Sequence, residues 1–316
     1  MTFDVAGIEL NPLIPFFWAL FVGLVFSIIG AAGGILAAVG HISIFGIADA
    51  NMIKPMNQLL VIVSPLIAIP AYWRQQRVIF SLGLLLGLGS IAGSLFGSWY
   101  SKNYLPELRQ YQMIFGLLVL FIALRLFYES SRIFQERNRK IRETSRLFEG
   151  KIRSQKGSKS HPSEKILRSL LSWRSLKIIF LGHEFSFNPL WPVLAGFLIA
   201  VVSSALGVGG GFLLVPYMTS WLRLPMFVTA GTSVLAVFVA SVASVGNYLY
   251  LGARVDWYLA AVELAGVAAG AVLGPWVSRY MKERFLRLLL ALVLLYIAVG
   301  YTLGGWIKVW FGITIL

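Results

Sequence analysis

"SALGVGGGFLLVP", Ser204 to Pro216, carries four glycines in thirteen residues inside a long apolar run. Glycine costs about 1 kcal/mol relative to alanine in a helix interior. Backbone polar groups cannot stay unpaired in hydrocarbon, and a broken helix survives there only inside protein or beside a water-filled cavity. The stretch therefore reads as an unwound turn between two half-helices, the second starting near Gly209, Gly210 and Gly211. Free amides and the helix dipole at such a start favour anions. Close helix packing through small residues is the alternative.

The flanking composition makes the membrane reading general. The chain has 316 residues, 58% of them hydrophobic and 13% charged. Soluble domains are about 45–50% apolar. The excess falls into nearly uncharged segments near 12–39, 56–73, 78–100, 109–128, 189–220, 227–251, 256–278 and 285–307. Each approaches the roughly 20 helical residues needed to cross a bilayer. The fold class expected is an all-α polytopic membrane protein. The N-terminus, "MTFDVAGIELNP", lacks the basic residues of a cleavable signal, so the first apolar segment is expected to stay as a helix.

The chain divides into an apolar half (1–128), a basic linker (129–188) and a second apolar half (189–316). The linker holds 14 of the 27 Lys and Arg and 6 of the 13 Asp and Glu, which accounts for +8 of the net +14. Basic loops beside spans mark the cytoplasmic side, so the charge points to a lipid surface rather than nucleic acid. Phe134, Ile141 and Phe148 share a helical stripe in its first part. In its second, "EKILRSLLSWRSLKIIF" pairs an apolar face with Arg168, Arg174 and Lys177 and predicts an amphipathic helix in the interface.

The two halves resemble each other. "GAAGGIL" (Gly30–Leu36) matches "GVGGGFL" (Gly207–Leu213) at an offset of 177 residues. The same offset pairs Arg77-Val78 with Arg254-Val255, and "GSLFGSW" with "GAVLGPW". Internal repeats in a membrane protein point to a transporter with its site at the repeat interface. Gly33 and Gly34 are then the first-half counterpart of the second-half break. "GSIAGSLFG" and "GVAAGAVLG" instead space small residues every four positions, which predicts helix packing. Four spans per half would give parallel repeats, with four loop cations inside and eight outside. Splitting the first segment of each half at its glycines gives inverted repeats, with seven inside and five outside, the sign the positive-inside rule requires.

Candidate site residues follow from polarity inside apolar runs. Glu263 lies seven residues past Asp256, about 10 Å into the membrane. A charge there costs about 2.5–3.5 kcal/mol and usually faces a cavity or partner, so Glu263 is the candidate proton carrier or else a hydrogen-bonded structural carboxyl. Asn57 and Gln58 in one half, with Thr232 and Ser233 in the other, can offer neutral donors to an oxyanion or serve as caps and interhelical bonds. Arg77 and Arg254 either snorkel to headgroups or form a funnel for anions. His41, His161 and His183 are scattered, which argues against a metal cluster. There is no cysteine, and no P-loop, GxSxG or HExxH motif, so neither an enzyme nor a cofactor is expected. A small anion, the lipid bilayer and a coupling proton or cation are the expected partners, and homo-oligomerisation stays open.

The glycine motifs "GAAGGILAAVG" and "GVGGGFLLVP", together with "AGTSVLAV" and "GARVDW", resemble the TauE/SafE (TSUP) family of sulfite and organosulfonate exporters. The resemblance covers both apolar halves. It is specific in the second and degenerate in the first, where Ala32 thins the glycine run and "MNQLL" stands in place of a Thr-Ser pair. It implies a multi-pass bacterial inner-membrane permease for sulfite or for sulfonates such as taurine and sulfoacetate. Cysteine-using thiosulfate permeases are a more distant likeness, and their thiol relay is excluded here. An uncoupled anion channel, or a non-transporting assembly protein docking through the linker, are the other functions compatible with the residues.

Overall fold

The computed structural model describes residues 2–29, 33–74, 77–131, 167–171, 175–180, 183–224, 226–277 and 283–311. A terminal hairpin, β1 (Thr2–Phe3) and β2 (Ile8–Glu9), precedes α1 (Leu13–Ile29). Next, α2 (Gly33–Val39) runs into a π-turn (Gly40–Ile44), followed by α3 (Ala50–Arg74), α4 (Phe80–Tyr104) and α5 (Leu108–Ser130). Beyond the linker come α6 (Leu190–Leu206), α7 (Gly211–Pro216) with its π-turn (Tyr217–Trp221), α8 (Met226–Tyr250), α9 (Trp257–Val277) and α10 (Glu283–Phe311). By length and composition α3, α4, α5, Val228–Tyr250 of α8 and Trp257–Gly274 of α9 can cross a membrane, and the other apolar helical stretches, Leu13–Ser27, Gly33–Ile44, Leu190–Leu206 and Leu288–Gly304 of α10, are shorter.

Small residues set the closest helix contacts. A Cβ at Gly89, Gly93 or Gly97 of α4 would collide with the Val193, Phe197 or Val201 carbonyl of α6. One turn on, the Ser101 hydroxyl donates to the Ala205 carbonyl at 2.6 Å. Residue numbers rise together along this seam, so α4 and α6 run parallel. The same holds for α9 and α1: Gly266 and Gly270 abut the Phe16 and Leu20 carbonyls, and Ser27 donates to the Ala271 carbonyl at 3.0 Å. The first helix of each half thus packs on the fourth helix of the other.

The third helices, α3 and α8, run antiparallel. Gly231, near the start of α8, abuts the Arg77 carbonyl just past the end of α3. Near the end of α8, Ser244 and Tyr248 bond Ser204, close to the turn whose Gly207 rests on Lys54 at the start of α3. Exposed aromatic residues collect at both ends of the bundle. Trp73, Phe80, Trp191 and Trp221 mark the linker end, and Trp99, Tyr100, Tyr104, Tyr250, Trp257 and Tyr258 mark the end carrying the terminal hairpin. Such amphipathic rings favour headgroup level, which sets the bundle across a bilayer.

The linker departs from expectation. Leu167–Leu171, Leu176–Phe180 and His183–Phe187 form an antiparallel sheet, β3-β4-β5, in place of the amphipathic helix. The reason is a period of two: Leu176 and Ile178 are fully buried with exposed Lys177 between them, which suits a strand whose alternate side chains face opposite sides. They pack with Ile79, Leu82, Met218 and Leu224. The stripe of Phe134, Ile141 and Phe148 lies outside the described residues.

Candidate functional site

Two helical hairpins build the centre. In one, α2 turns back along α1: Gly33 lies against Phe26, Gly40 against Trp18, and the Trp18 indole donates to the Leu36 carbonyl at 3.1 Å. In the other, α6 ends at a turn where Gly207 and Gly209 take left-handed φ of 68° and 71°, which glycine adopts without steric cost. Gly210 then rests against Ile199 and Ser203 of α6. The tips meet, since a Cβ on Gly34 would collide with the Val208 carbonyl. Broken helices and tight small-residue packing, posed as alternatives from sequence, occur together.

Ending a helix at this depth leaves carbonyls without intrahelical partners. Side chains supply the donors. Gln58 Nε2 bonds the Ser203 carbonyl at 2.9 Å, Tyr248 Oη the Ser204 carbonyl at 3.1 Å, Ser101 Oγ the Ala205 carbonyl at 2.6 Å and Tyr111 Oη the Leu206 carbonyl at 2.9 Å. All four donors belong to buried residues. Arg125, paired with Glu129 at 2.7 Å, reaches the Phe212 carbonyl of α7 at 2.9 Å.

Beside the tips, three polar side chains meet. His41, in the π-turn after α2, has Nδ1 at 2.6 Å from Asn57 Oδ1 and Nε2 at 2.9 Å from Glu263 Oε2. None of the three is more than 1% exposed. Asn57 Nδ2 and Gln58 Oε1, adjacent along α3, are buried without a hydrogen-bond partner. The Tyr111 hydroxyl neighbours the Asn57 amide, which ties this cluster to the end of α6. Close by, Lys54 Nζ closes the end of α4 through the Ser101 and Leu105 carbonyls at 3.3 and 2.6 Å and lies over the Tyr111 ring.

The remaining candidates lie elsewhere. Thr232 and Ser233 do not join Asn57 and Gln58: Thr232 Oγ1 accepts the Ile79 amide ahead of α4 and donates to Val228, and Ser233 bonds Ala230. Because α3 and α8 are antiparallel, equivalent places along them fall towards opposite ends of the bundle. For the same reason Arg77 and Arg254 sit at opposite ends. Arg77 covers the Tyr72 ring, and Arg254 is exposed. Asp256 caps α9 through the Tyr258 and Leu259 amides. Gly209 and Gly210 shape the second tip, and Gly211 opens α7.

His41 is the member that the sequence reading set aside as scattered. The available signal was its place inside an apolar run, where a lone polar ring needs a partner as Glu263 does. Among the described residues no group of three or more His, Cys, Asp or Glu could hold a metal ion.

Comparison with known proteins agrees with this architecture. The chain is 23% identical over 284 residues to the probable membrane transporter protein YunE of Bacillus subtilis (strain 168), covering 88% of this chain and 92% of that one. No solved structure matches significantly. The sequence model of the sulfite exporter TauE/SafE family matches residues 15–301. By that match the chain is a multi-pass membrane transporter that belongs to the sulfite exporter TauE/SafE family.

Proposed function

We propose that the protein is an alternating-access permease for small sulfur-containing anions, sulfite or sulfonates such as taurine and sulfoacetate, in a bacterial inner membrane. The observation that carries this reading is the pair of buried, unpartnered amide atoms, Asn57 Nδ2 and Gln58 Oε1, beside two helix breaks that touch. An unpaired polar atom in a membrane interior costs several kcal/mol, and a bound ligand removes that cost. Asn57 Nδ2 is a neutral donor suited to an oxyanion, and Gln58 Oε1 is an acceptor suited to the amine of taurine or a protonated oxygen. The glycine tips at Gly33-Gly34 and Gly209-Gly211 frame the same place.

The two halves act as inverted repeats, 1–128 and 189–316, joined by the linker at 129–188. The matching order of helices and the antiparallel pair α3 and α8 support this. With the linker end cytoplasmic, Arg74, Arg77 and Arg223 lie inside, and Lys102, Arg109 and Arg254 lie outside. Glu263 supplies the proton coupling.

Flux in proteoliposomes loaded with sulfite, taurine or sulfoacetate, with and without a proton gradient, tests the reading. Gradient-sensitive flux of at least one is expected. Asn57→Leu should lower it by about tenfold, the worth of one hydrogen bond to a charged group of about 1.5 kcal/mol. Deleting 136–165 should leave transport intact. Folded protein that moves none of the three anions would overturn the substrate class.

A further inference from the structure

We propose that His41 and Glu263 hold one exchangeable proton between Nε2 and Oε2, and that the occupant of the Asn57 amide binds together with that proton. The inference rests on the permease reading for the anion and on geometry alone for the proton. Asn57 Oδ1 is an acceptor only and faces Nδ1 at 2.6 Å, so Nδ1 carries a proton. The ring's second nitrogen faces the carboxylate at 2.9 Å. A proton between them makes the pair neutral, whether written as imidazolium with carboxylate or imidazole with carboxylic acid. Loss of that proton leaves a net charge of −1 buried at no more than 1% exposure.

Other titratable groups near the pair are already engaged. From α10, Tyr301 Oη bonds Ser43, two residues past His41, at 2.6 Å. From α5, Tyr111 donates to Leu206. On α3, Lys54 is held by Asn51, Ser101 and Leu105. On α9, Asp256 caps its own helix and accepts the Ala6 amide. Within α1 no residue is titratable. Glu263 is therefore the one acidic partner facing His41 among the described residues.

Asn57 is the link between proton and anion. Its carbonyl is fixed by His41 Nδ1–H, which turns Nδ2, the unpartnered donor, away from the ring. The His41 ring and the Asn57 amide stand between an anion there and Glu263, and two like charges about 10 Å apart at an effective dielectric of about 20 repel enough to shift a binding constant by about tenfold. The neutral pair accepts the anion and the deprotonated pair rejects it. Binding is reciprocal, so the anion draws a proton onto the pair.

The chain has three histidines, so protein labelled with nitrogen-15 in its histidine rings gives three ring spin systems, and His41→Gln identifies one. In wild-type protein the His41 signals should show Nδ1 protonated throughout and Nε2 changing with pH. Glu263→Gln should abolish or displace that transition. Sulfoacetate, whose charge is constant over the neutral range, should raise the midpoint by about one pH unit, and Asn57→Leu should remove the shift. A His41 transition identical in wild-type protein and Glu263→Gln overturns the shared proton. Sulfoacetate flux with an unmoved midpoint overturns the coupling but leaves the permease. Absence of flux for every anion, with the transition still dependent on Glu263, overturns the permease reading and the coupling and leaves the proton pair standing.

Discussion

Tyr111→Phe removes one hydroxyl from a place where nothing else can replace it. Two of the four carbonyls at the end of α6 have a backbone donor as well as a side-chain one: Ser203 takes the Val208 amide at 3.0 Å and Ser204 the Gly207 amide at 3.3 Å. The Leu206 carbonyl has Tyr111 Oη alone among the described donors. Phenylalanine keeps the ring beneath Lys54, 5.2 Å from Nζ to the centroid, so the change removes the hydroxyl without unpacking the ring. Orphaning a buried acceptor costs about 1–3 kcal/mol. Interhelical bonds in membranes average about 0.6 kcal/mol with a maximum near 1.7, because the unfolded chain also finds partners in the bilayer. The missing alternative donor puts Tyr111→Phe near the upper limit, at about 1.5 kcal/mol, or roughly tenfold in the unfolding equilibrium. Tyr248→Phe, which leaves Ser204 with the Gly207 amide, should cost about 0.5 kcal/mol. Reversible unfolding in mixed micelles titrated with dodecyl sulfate, followed by tryptophan fluorescence, measures both. Equal losses from the two variants, or a Tyr111→Phe protein as stable as the parent, would refute the claim that side chains sustain the break.

Gly93→Leu inserts a side chain where Phe197 and Ala200 already touch the α carbon's open face. Overpacking of this kind costs about 1–3 kcal/mol or more, and thermal denaturation in detergent should show a lower midpoint, whereas Gly304→Leu, with open space around it, should not. Asp256→Ala removes the cap of α9, worth about 1 kcal/mol, and the acceptor for the Ala6 amide at 3.1 Å. Hydrogen exchange should then speed up across Thr2–Glu9 and the first turn of α9 while the centre of α9 stays protected.

Much of this architecture was legible in the residues. Uncharged runs located the spans, because a membrane demands length and apolarity together. The glycines of Ser204–Pro216 located the second break, and the four-residue spacing of Gly89, Gly93 and Gly97 located the α4 seam. Three features were not legible, each for a physical reason. His41 and Glu263 are 222 positions apart, so no local spacing joins them. Thr232 looked equivalent to Asn57 because equivalence along the chain says nothing about direction, and antiparallel packing separates such positions in space. The sheet of the linker was hidden because its apolar and basic residues fit a helical face as well as a strand, and only the short alternation Leu176-Lys177-Ile178 distinguishes them.

The exchange of first helices between the two halves has a consequence for biosynthesis. Ser27 of α1 bonds the Ala271 carbonyl, 244 residues later in the chain. At the usual elongation rate of roughly 5–20 residues per second, α1 waits about 10–50 s before the helix it packs on emerges from the ribosome. During that interval its glycine contact surface has only lipid or the insertion machinery as a neighbour. The first half is not a finished structure when its own synthesis ends. The nascent first half has to be held in the membrane, open and shielded from proteolysis, until α9 arrives to close it.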